Sequence, residues 1–104
     1  EGPQSITKIN KVKIKKGMIL SNEPGYYKQN HFGIRIENLV YVDKKNGKLF
    51  FKNLTMAPIE KDLINYDLLT VDEKNYLFKY HLDVYSRISK YLKQNEKKWL
   101  ASLI

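Results

Sequence analysis

The stretch SNEPGYYKQNHFGIRIENLVYV, residues 21–42, contains two glutamates fourteen positions apart, Glu23 and Glu37. Glu23 is followed at once by the turn-forming pair Pro24-Gly25, which should halt a strand. Glu37 lies in a run of isoleucine, leucine and valine that predicts a buried strand from Gly33 to Val42. An ionised carboxylate is costly in an apolar interior unless it is paired, so both positions require a neutralising partner.

The alternation of side chains along the second strand separates polar from apolar positions. Residues two apart share a face of a strand, so Arg35 and Glu37 point one way while Ile34 and Ile36 point the other. If the two isoleucines face a hydrophobic core, the arginine and the glutamate face a cavity or cleft.

A first strand is expected around Met18–Asn22, joined to Gly33 by a ten-residue loop. With the two strands antiparallel, Glu23 and Glu37 come close together. Two carboxylates in a partly dry site repel, and a divalent cation removes that repulsion. Arg35 then supplies a further positive charge beside the ligands.

Each of these residues also has an ordinary structural interpretation. Glu37 could pair with a lysine on a neighbouring strand, Glu23 could be a simple turn residue, and Arg35 could form a cross-strand ion pair with Glu37. His31 is typical of a solvated loop, and His81 of a satisfied core or boundary position. From these patterns alone, the chain is an α+β domain with a possible carboxylate metal site.

Downstream of this stretch the pattern changes from strand to helix. Asn46-Gly47 predicts a hairpin whose returning strand, KLFFKNLTMA, ends at Pro58. A short turn is expected in the segment PIEKDLI, residues 58–64. The sequence therefore predicts an antiparallel β meander over residues 1–57 and a helical extension over residues 58–104.

The helical extension opens with Thr70 and Glu73, a capping-box pair. A second, short helix is expected around Glu96–Leu103. One apolar stripe at three- and four-residue steps is predicted to face the core: Leu77, Tyr80, Val84, Ile88, Tyr91 and Leu92.

Composition excludes several classes of function. At 104 residues the chain is at most one domain or a piece of one, and no apolar run reaches the roughly 18 residues that span a membrane. It has no cysteine, which excludes thiolate metal sites and fits a reducing, cytoplasmic compartment. The formal charge of +8 comes from 17 lysines and only 2 arginines. Nucleic-acid sites favour arginine for bidentate contacts, so neither a nucleic acid nor a membrane is the expected partner.

The segments MILSNEPGYY and FGIRIENLVYV closely resemble the metallopeptidase family that includes aminopeptidase P and the methionine aminopeptidases. The opening EGPQSI and the tail TMAPIEKDLI…LLTVDEKNYLFKYHLDVYSRI…WL are similar to aminopeptidase P, the Xaa-Pro aminopeptidase. The resemblance covers essentially the whole chain. It implies the C-terminal part of a pita-bread α+β fold.

The same resemblance implies a site with two divalent metal ions, most often manganese, held by two aspartates, one histidine and two glutamates. Glu23 matches a ligand of one metal that also shuttles protons in catalysis, and Glu37 matches the ligand that bridges both metals. Arg35 matches an arginine beside the site, and Tyr27 an aromatic residue near the substrate pocket. The implied reaction is attack of a metal-activated hydroxide on the bond before a proline at the second position of a peptide.

Two of the five implied ligands are in this chain, because the aspartates and the histidine lie upstream in the family. The chain is therefore expected to be a C-terminal fragment that is inactive by itself and binds manganese weakly. Its expected partners are the missing N-terminal part and, in the whole enzyme, a second copy. A non-catalytic binding module of the same fold and a methionine aminopeptidase-like enzyme are the alternatives.

Removal of neighbouring strands is expected to leave open sheet edges and uncovered apolar side chains. The residues predicted to lose cover are Ile34, Ile36, Val40, Phe50 and Phe51.

Overall fold

The computed structural model describes residues 2–104. The chain divides into an N-terminal unit that ends at Thr55 and a C-terminal unit, Met56–Ile104. The N-terminal unit holds all the strands of the described residues, and the C-terminal unit holds their α-helices.

Five strands make up two antiparallel sheets in the N-terminal unit. The strands are β1 (Ile19–Asn22), β2 (Gly25–Lys28), β3 (Phe32–Arg35), β4 (Asn38–Lys45) and β5 (Lys48–Asn53). One sheet has the order β1-β4-β5, and the other is the β2-β3 hairpin. The predicted strands after Met18 and after Gly47 are confirmed.

The prediction of one continuous strand from Gly33 to Val42 is wrong, since Ile36 and Glu37 separate β3 from β4. The backbone N–H of Ile36 donates to the carbonyl oxygen of Pro24 at 3.1 Å. Proline has no N–H to return that bond, so the ladder is interrupted there. The expected ten-residue loop is also wrong, because it contains β2 and part of β3.

The predicted hairpin at Asn46-Gly47 is confirmed. Both residues have positive φ, 49° at Asn46 and 78° at Gly47. A two-residue turn of this kind matches the twist of the strands it joins. It pairs Lys45 with Lys48 and fixes the register of β4 against β5.

The core of the N-terminal unit is small. Leu20, Val40 and Val42 are buried, with Ile14 and Met18 packed against them. Val40 was expected to lose part of its cover, and that prediction is wrong because its side chain packs in the cluster with Leu20 and Val42.

The four other residues expected to lose cover are partly exposed: Ile34 (46%), Ile36 (48%), Phe50 (37%) and Phe51 (49%). The condition that Ile34 and Ile36 face a hydrophobic core is thus not met within the described chain.

The C-terminal unit contains α1 (Val71–Ile88) and α2 (Gln94–Ser102). Short 3-10 turns lie at Lys61–Leu63, Tyr66–Leu68 and Ser89–Tyr91. In the part of the chain that is described, no helix is long and apolar enough to cross a membrane. The predicted second short helix is confirmed as α2, with its start two residues earlier.

Helix α1 begins as predicted. Thr70 Oγ1 accepts from the Glu73 N–H at 3.3 Å, and Glu73 Oε2 accepts from the Thr70 N–H at 2.8 Å. The buried face consists of Leu77, Tyr80, His81 and Val84. The stripe was expected to continue to Leu92, but α1 ends at Ile88; the prediction is wrong for Tyr91, which is 77% exposed, whereas Leu92 is half-buried.

Two side chains of α1 hold the segment that precedes the first 3-10 turn. Tyr80 Oη donates to the carbonyl oxygen of Ala57 at 2.7 Å, and His81 Nε2 accepts from the Ile59 N–H at 3.0 Å. The prediction that His81 is a satisfied core residue is confirmed at this nitrogen. Lys61 Nζ also donates to the carbonyl oxygen of Ser102 near the end of α2.

Candidate metal centre

The register of the two sheets places the two glutamates opposite each other. In one ladder Asn22 lies opposite Asn38, and in the other Gly25 lies opposite Arg35. Both ladders have the same register. The position that follows the Asn22–Asn38 pair, toward the β2-β3 hairpin, therefore places Glu23 opposite Glu37. Residues directly opposite in an antiparallel pair project to the same face. The two carboxylates therefore belong to one face of a single interrupted ribbon.

Arg35 lies between the two carboxylates. Its Nη1 is 3.7 Å from Glu23 Oε2, and its Nη2 is 3.4 Å from Glu37 Oε2. Ser21 Oγ donates to the other oxygen of Glu23 at 2.7 Å. The glutamate side chains are 45% and 47% exposed, so within the described residues neither carboxylate lies in an apolar interior. They lie at the surface of the ribbon, with one guanidinium reducing their repulsion.

Tyr27 lies on the same face, and its ring packs over two glycines, Gly25 and Gly33. A Cβ at Gly33 would lie 2.6 Å from Tyr27 Cδ1, and a Cβ at Gly25 would lie 2.8 Å from Tyr27 Oη. Both are closer than real side chains approach, so the tyrosine fits there only over glycine. Sequence reasoning missed these two glycines, although their place in strands was a detectable signal.

The Arg35 guanidinium interacts with the Tyr27 side chain as well as with the two glutamates. The interaction with Tyr27, followed by the charges of Glu37 and Glu23, raises the pKa of the Arg35 guanidinium above its ordinary value. That Tyr27 lines a substrate pocket remains a prediction.

The donor set of the ribbon suits a hard divalent cation but is incomplete. Glu23 and Glu37 offer carboxylate oxygens, which magnesium, calcium and manganese prefer. Residues 2–104 contain no group of three or more histidine, cysteine or acidic side chains placed to hold a metal. His31 lies in the exposed turn between β2 and β3, and His81 belongs to the C-terminal unit.

Sequence comparison matches nearly the whole chain to models of one protein family. Residues 1–44 match metallopeptidase family M24, and residues 47–103 match the C-terminal region of peptidase M24. The chain belongs to metallopeptidase family M24. The resemblance described from the sequence is confirmed.

Several M24 relatives are about 40% identical to the chain. An uncharacterised peptidase of Schizosaccharomyces pombe is 41% identical over 89% of the chain and 17% of its own length. A probable Xaa-Pro aminopeptidase P of Coprinopsis cinerea is 42% identical over 96% of the chain and 18% of its own length. Xaa-Pro aminopeptidase 1 of Dictyostelium discoideum is 40% identical over the whole chain and 19% of its own length.

A solved M24 structure also matches. The crystal structure of X-prolyl aminopeptidase from Caenorhabditis elegans, described as a cytosolic enzyme with a di-nuclear active site, superposes with a TM-score of 0.77 at 33% identity. The match covers 86% of this chain and 16% of the Caenorhabditis elegans chain. The prediction of an α+β fold that forms part of the pita-bread architecture is confirmed. The chain spans less than a fifth of the length of each of these relatives.

Proposed function

We propose that this chain is the part of a metal-dependent Xaa-Pro aminopeptidase that supplies two glutamate ligands, Glu23 and Glu37, to a two-metal site. The enzyme would remove the N-terminal residue from peptides with proline at the second position. The named relatives support this reading over a methionine aminopeptidase or a non-catalytic module.

The observation that carries the proposal is the pairing of Glu23 with Glu37 across one ribbon face, with Arg35 in contact with both. An arginine that only stabilises the fold needs one carboxylate as its partner in an ion pair. Here a second carboxylate lies opposite the first, where like charges oppose each other. Such a pair is useful when a cation of higher charge is shared by both.

The residues of this chain would divide the work. Glu23 and Glu37 would hold the metals, which when bound would supply Lewis acidity and bring the pKa of a bound water down toward neutral pH. Glu23, whose second oxygen accepts from Ser21, is the candidate for proton transfer to and from the substrate. Arg35 fixes the directions of both carboxylates, and Tyr27 fixes the direction of Arg35.

Manganese is the metal we infer, because the five-ligand set implied by the resemblance combines oxygen donors with one imidazole and no thiolate. We also infer a cytoplasmic homodimer, on the likeness to the cytosolic Caenorhabditis elegans enzyme and on the exposed strand β5. Four or more fifths of each relative lie outside the matched region, so these inferences concern the longer polypeptide.

Activity of the longer polypeptide, with the upstream residues of its gene, tests the proposal. Glu37→Gln should lower manganese-dependent release of arginine from an Arg-Pro-Pro peptide by at least about a thousandfold, because one of the two glutamates that would hold the metals is lost. Glu60→Gln is the control: its side chain accepts from the Asp62 N–H in a 3-10 turn, and the amide can still accept. Undiminished activity of Glu37→Gln would exclude the proposed role, and an inactive wild type would favour the binding module.

The 104-residue chain alone should show no peptidase activity. Two ligands leave most of each metal's coordination to water, so manganese should bind no better than at a pair of surface carboxylates. Isothermal titration with manganese measures this. A tight site with defined stoichiometry would show that the chain needs no upstream ligands.

A further inference from the structure

A cavity of about 280 Å³ lies within the C-terminal unit. Its walls come from one side of α1, from the turn Tyr66–Leu68 and from the end of the chain. An apolar cavity of about 150 Å³ holds one benzene molecule. This cavity therefore has room for an aromatic ring and a short chain. The cavity is open to solvent on one side: of the apolar side chains that line it, Leu77 is buried, whereas Phe78, Leu82 and Ile104 are exposed.

His81 brings a nearly buried polar group to this cavity, with 6% of its surface exposed. Because Nε2 accepts from the Ile59 N–H, that nitrogen carries no proton, and the neutral ring has its proton on Nδ1. Burial lowers the pKa of His81 and favours this neutral form. Within residues 2–104 no acceptor is found for the Nδ1 proton. The cavity wall thus holds a donor that is available to a ligand.

Lys74 provides the one charged side chain of the lining. Among the described residues it forms no ion pair with any carboxylate, the chain terminus included. No aspartate or glutamate lines the cavity. The side chains of the lining are therefore mostly apolar, with Lys74 as the charged one, and the carboxylate of Ile104 is an anion at the edge of the cavity.

We propose that this cavity binds a small apolar monocarboxylate, of the size of an arylalkanoate. The apolar body would pack against Leu77, Phe78 and Leu82, and the carboxylate would accept hydrogen bonds from Lys74 and from Nδ1 of His81. Convergence of a few polar groups in an apolar cavity is typical of small-molecule sites. A carboxylate carries a single charge and fits such walls better than a phosphate, which carries more charge and would lose more hydration.

Titration of the ¹⁵N-labelled 104-residue chain with 3-phenylpropanoate, followed by NMR, tests this site. The amide 3-phenylpropanamide has the same shape without the charge. The carboxylate should give saturable shifts at the α1 amides between Lys74 and Leu82, and the amide should bind about tenfold more weakly, because charge-assisted hydrogen bonds are lost. Equal affinities, or no saturable shifts in α1, would overturn the proposal.

Two lysines of α1 make a matched pair of variants. Lys74→Met removes the charge at the cavity and should erase the preference for the carboxylate, whereas Lys79→Met, outside the lining, should keep it. Far-UV circular dichroism checks that α1 is intact in both. A preference that survives Lys74→Met would contradict the assignment.

The carboxylate that follows Ile104 in this chain is an anion close to the lining. A chain with a C-terminal amide should therefore bind 3-phenylpropanoate at least as tightly as the free acid. Weaker binding would mean that the cavity does not favour anions, and would also overturn the proposal.

Discussion

The two units of this chain satisfy their polar groups in opposite ways. In the C-terminal unit, Tyr80 and His81 are buried and bond to backbone groups of the segment before the first 3-10 turn. In the N-terminal unit, Glu23 and Glu37 lie half exposed, opposite each other, with Arg35 between them. The first arrangement is complete within the unit, whereas the second keeps two like charges close together.

The two arrangements differ in how much they stabilise the fold. Buried polar groups that are fully bonded lock a local conformation. Exposed ion pairs contribute little to stability, about 0–1 kcal/mol. The ion pairs of the ribbon face thus contribute little to stability, which agrees with the metal-binding role proposed for Glu23 and Glu37.

The largest expected effect is on activity and concerns the two arginines of the chain. In the longer polypeptide, Arg35→Met should lower peptidase activity about 10–100-fold, since it frees the directions of both glutamates. Arg87→Met removes only an exposed pair with Asp83 on α1 and should change activity little. Steady-state kinetics of both variants checks this. Equal losses of peptidase activity in the two variants would show that Arg35 does not orient the glutamates.

The next effect is on stability and concerns two valines. Val42 is buried in the small core and Val71 is exposed at the start of α1. Val42→Ala should lower the free energy of unfolding by about 1–3 kcal/mol, and Val71→Ala by less than about 0.5 kcal/mol. Urea denaturation of the 104-residue chain measures both. A small loss at Val42 would mean that the core contributes little to the N-terminal unit.

Gly33→Ala tests how tightly the Tyr27 ring packs over Gly33. The new Cβ would lie 2.6 Å from the ring, so the tyrosine must move, at a cost of about 1 kcal/mol. In a Tyr27→Ala background the same change should cost nearly nothing. The double-mutant cycle, measured by urea denaturation, isolates the contact. An identical cost in both backgrounds would place the strain elsewhere.

The smallest expected effect is a pH dependence in the C-terminal unit. Because burial lowers the pKa of His81, the unfolded chain binds the proton more readily. The stability contribution of His81 is therefore full above its ordinary pKa of 6.5 and is lost as pH falls below it. His81→Gln can still accept from the Ile59 N–H but does not titrate. Its unfolding free energy should fall less between pH 7 and pH 5, and equal slopes would contradict this.

Local patterns predicted the helical unit well. The Thr70 and Glu73 capping box, the Asn46-Gly47 hairpin and α2 are determined by short-range chemistry and were found where expected. Tyr91 was wrongly predicted to face the core because the apolar spacing continues past Ile88. At that point the backbone leaves the α-helix and forms a 3-10 turn.

The ribbon was harder to predict because its geometry depends on pairing between strands. The missing N–H of Pro24 interrupts the ladder opposite Ile36, and that effect requires the register to be known. The place of Tyr27 over Gly25 and Gly33 likewise depends on cross-strand neighbours. The likeness of the motifs to M24 peptidases implied ligand roles for the two glutamates, whereas the sequence patterns alone indicated an α+β domain with a possible carboxylate metal site.

Metal content of the longer polypeptide tests the central claim most directly. After equilibrium dialysis against manganese, inductively coupled plasma mass spectrometry gives the bound metal per chain. We expect two manganese ions in the wild type and in Glu60→Gln, and a marked loss in both Glu23→Gln and Glu37→Gln. Unchanged manganese content in the Glu23 and Glu37 variants would show that the paired carboxylates do not bind metal and would contradict this account.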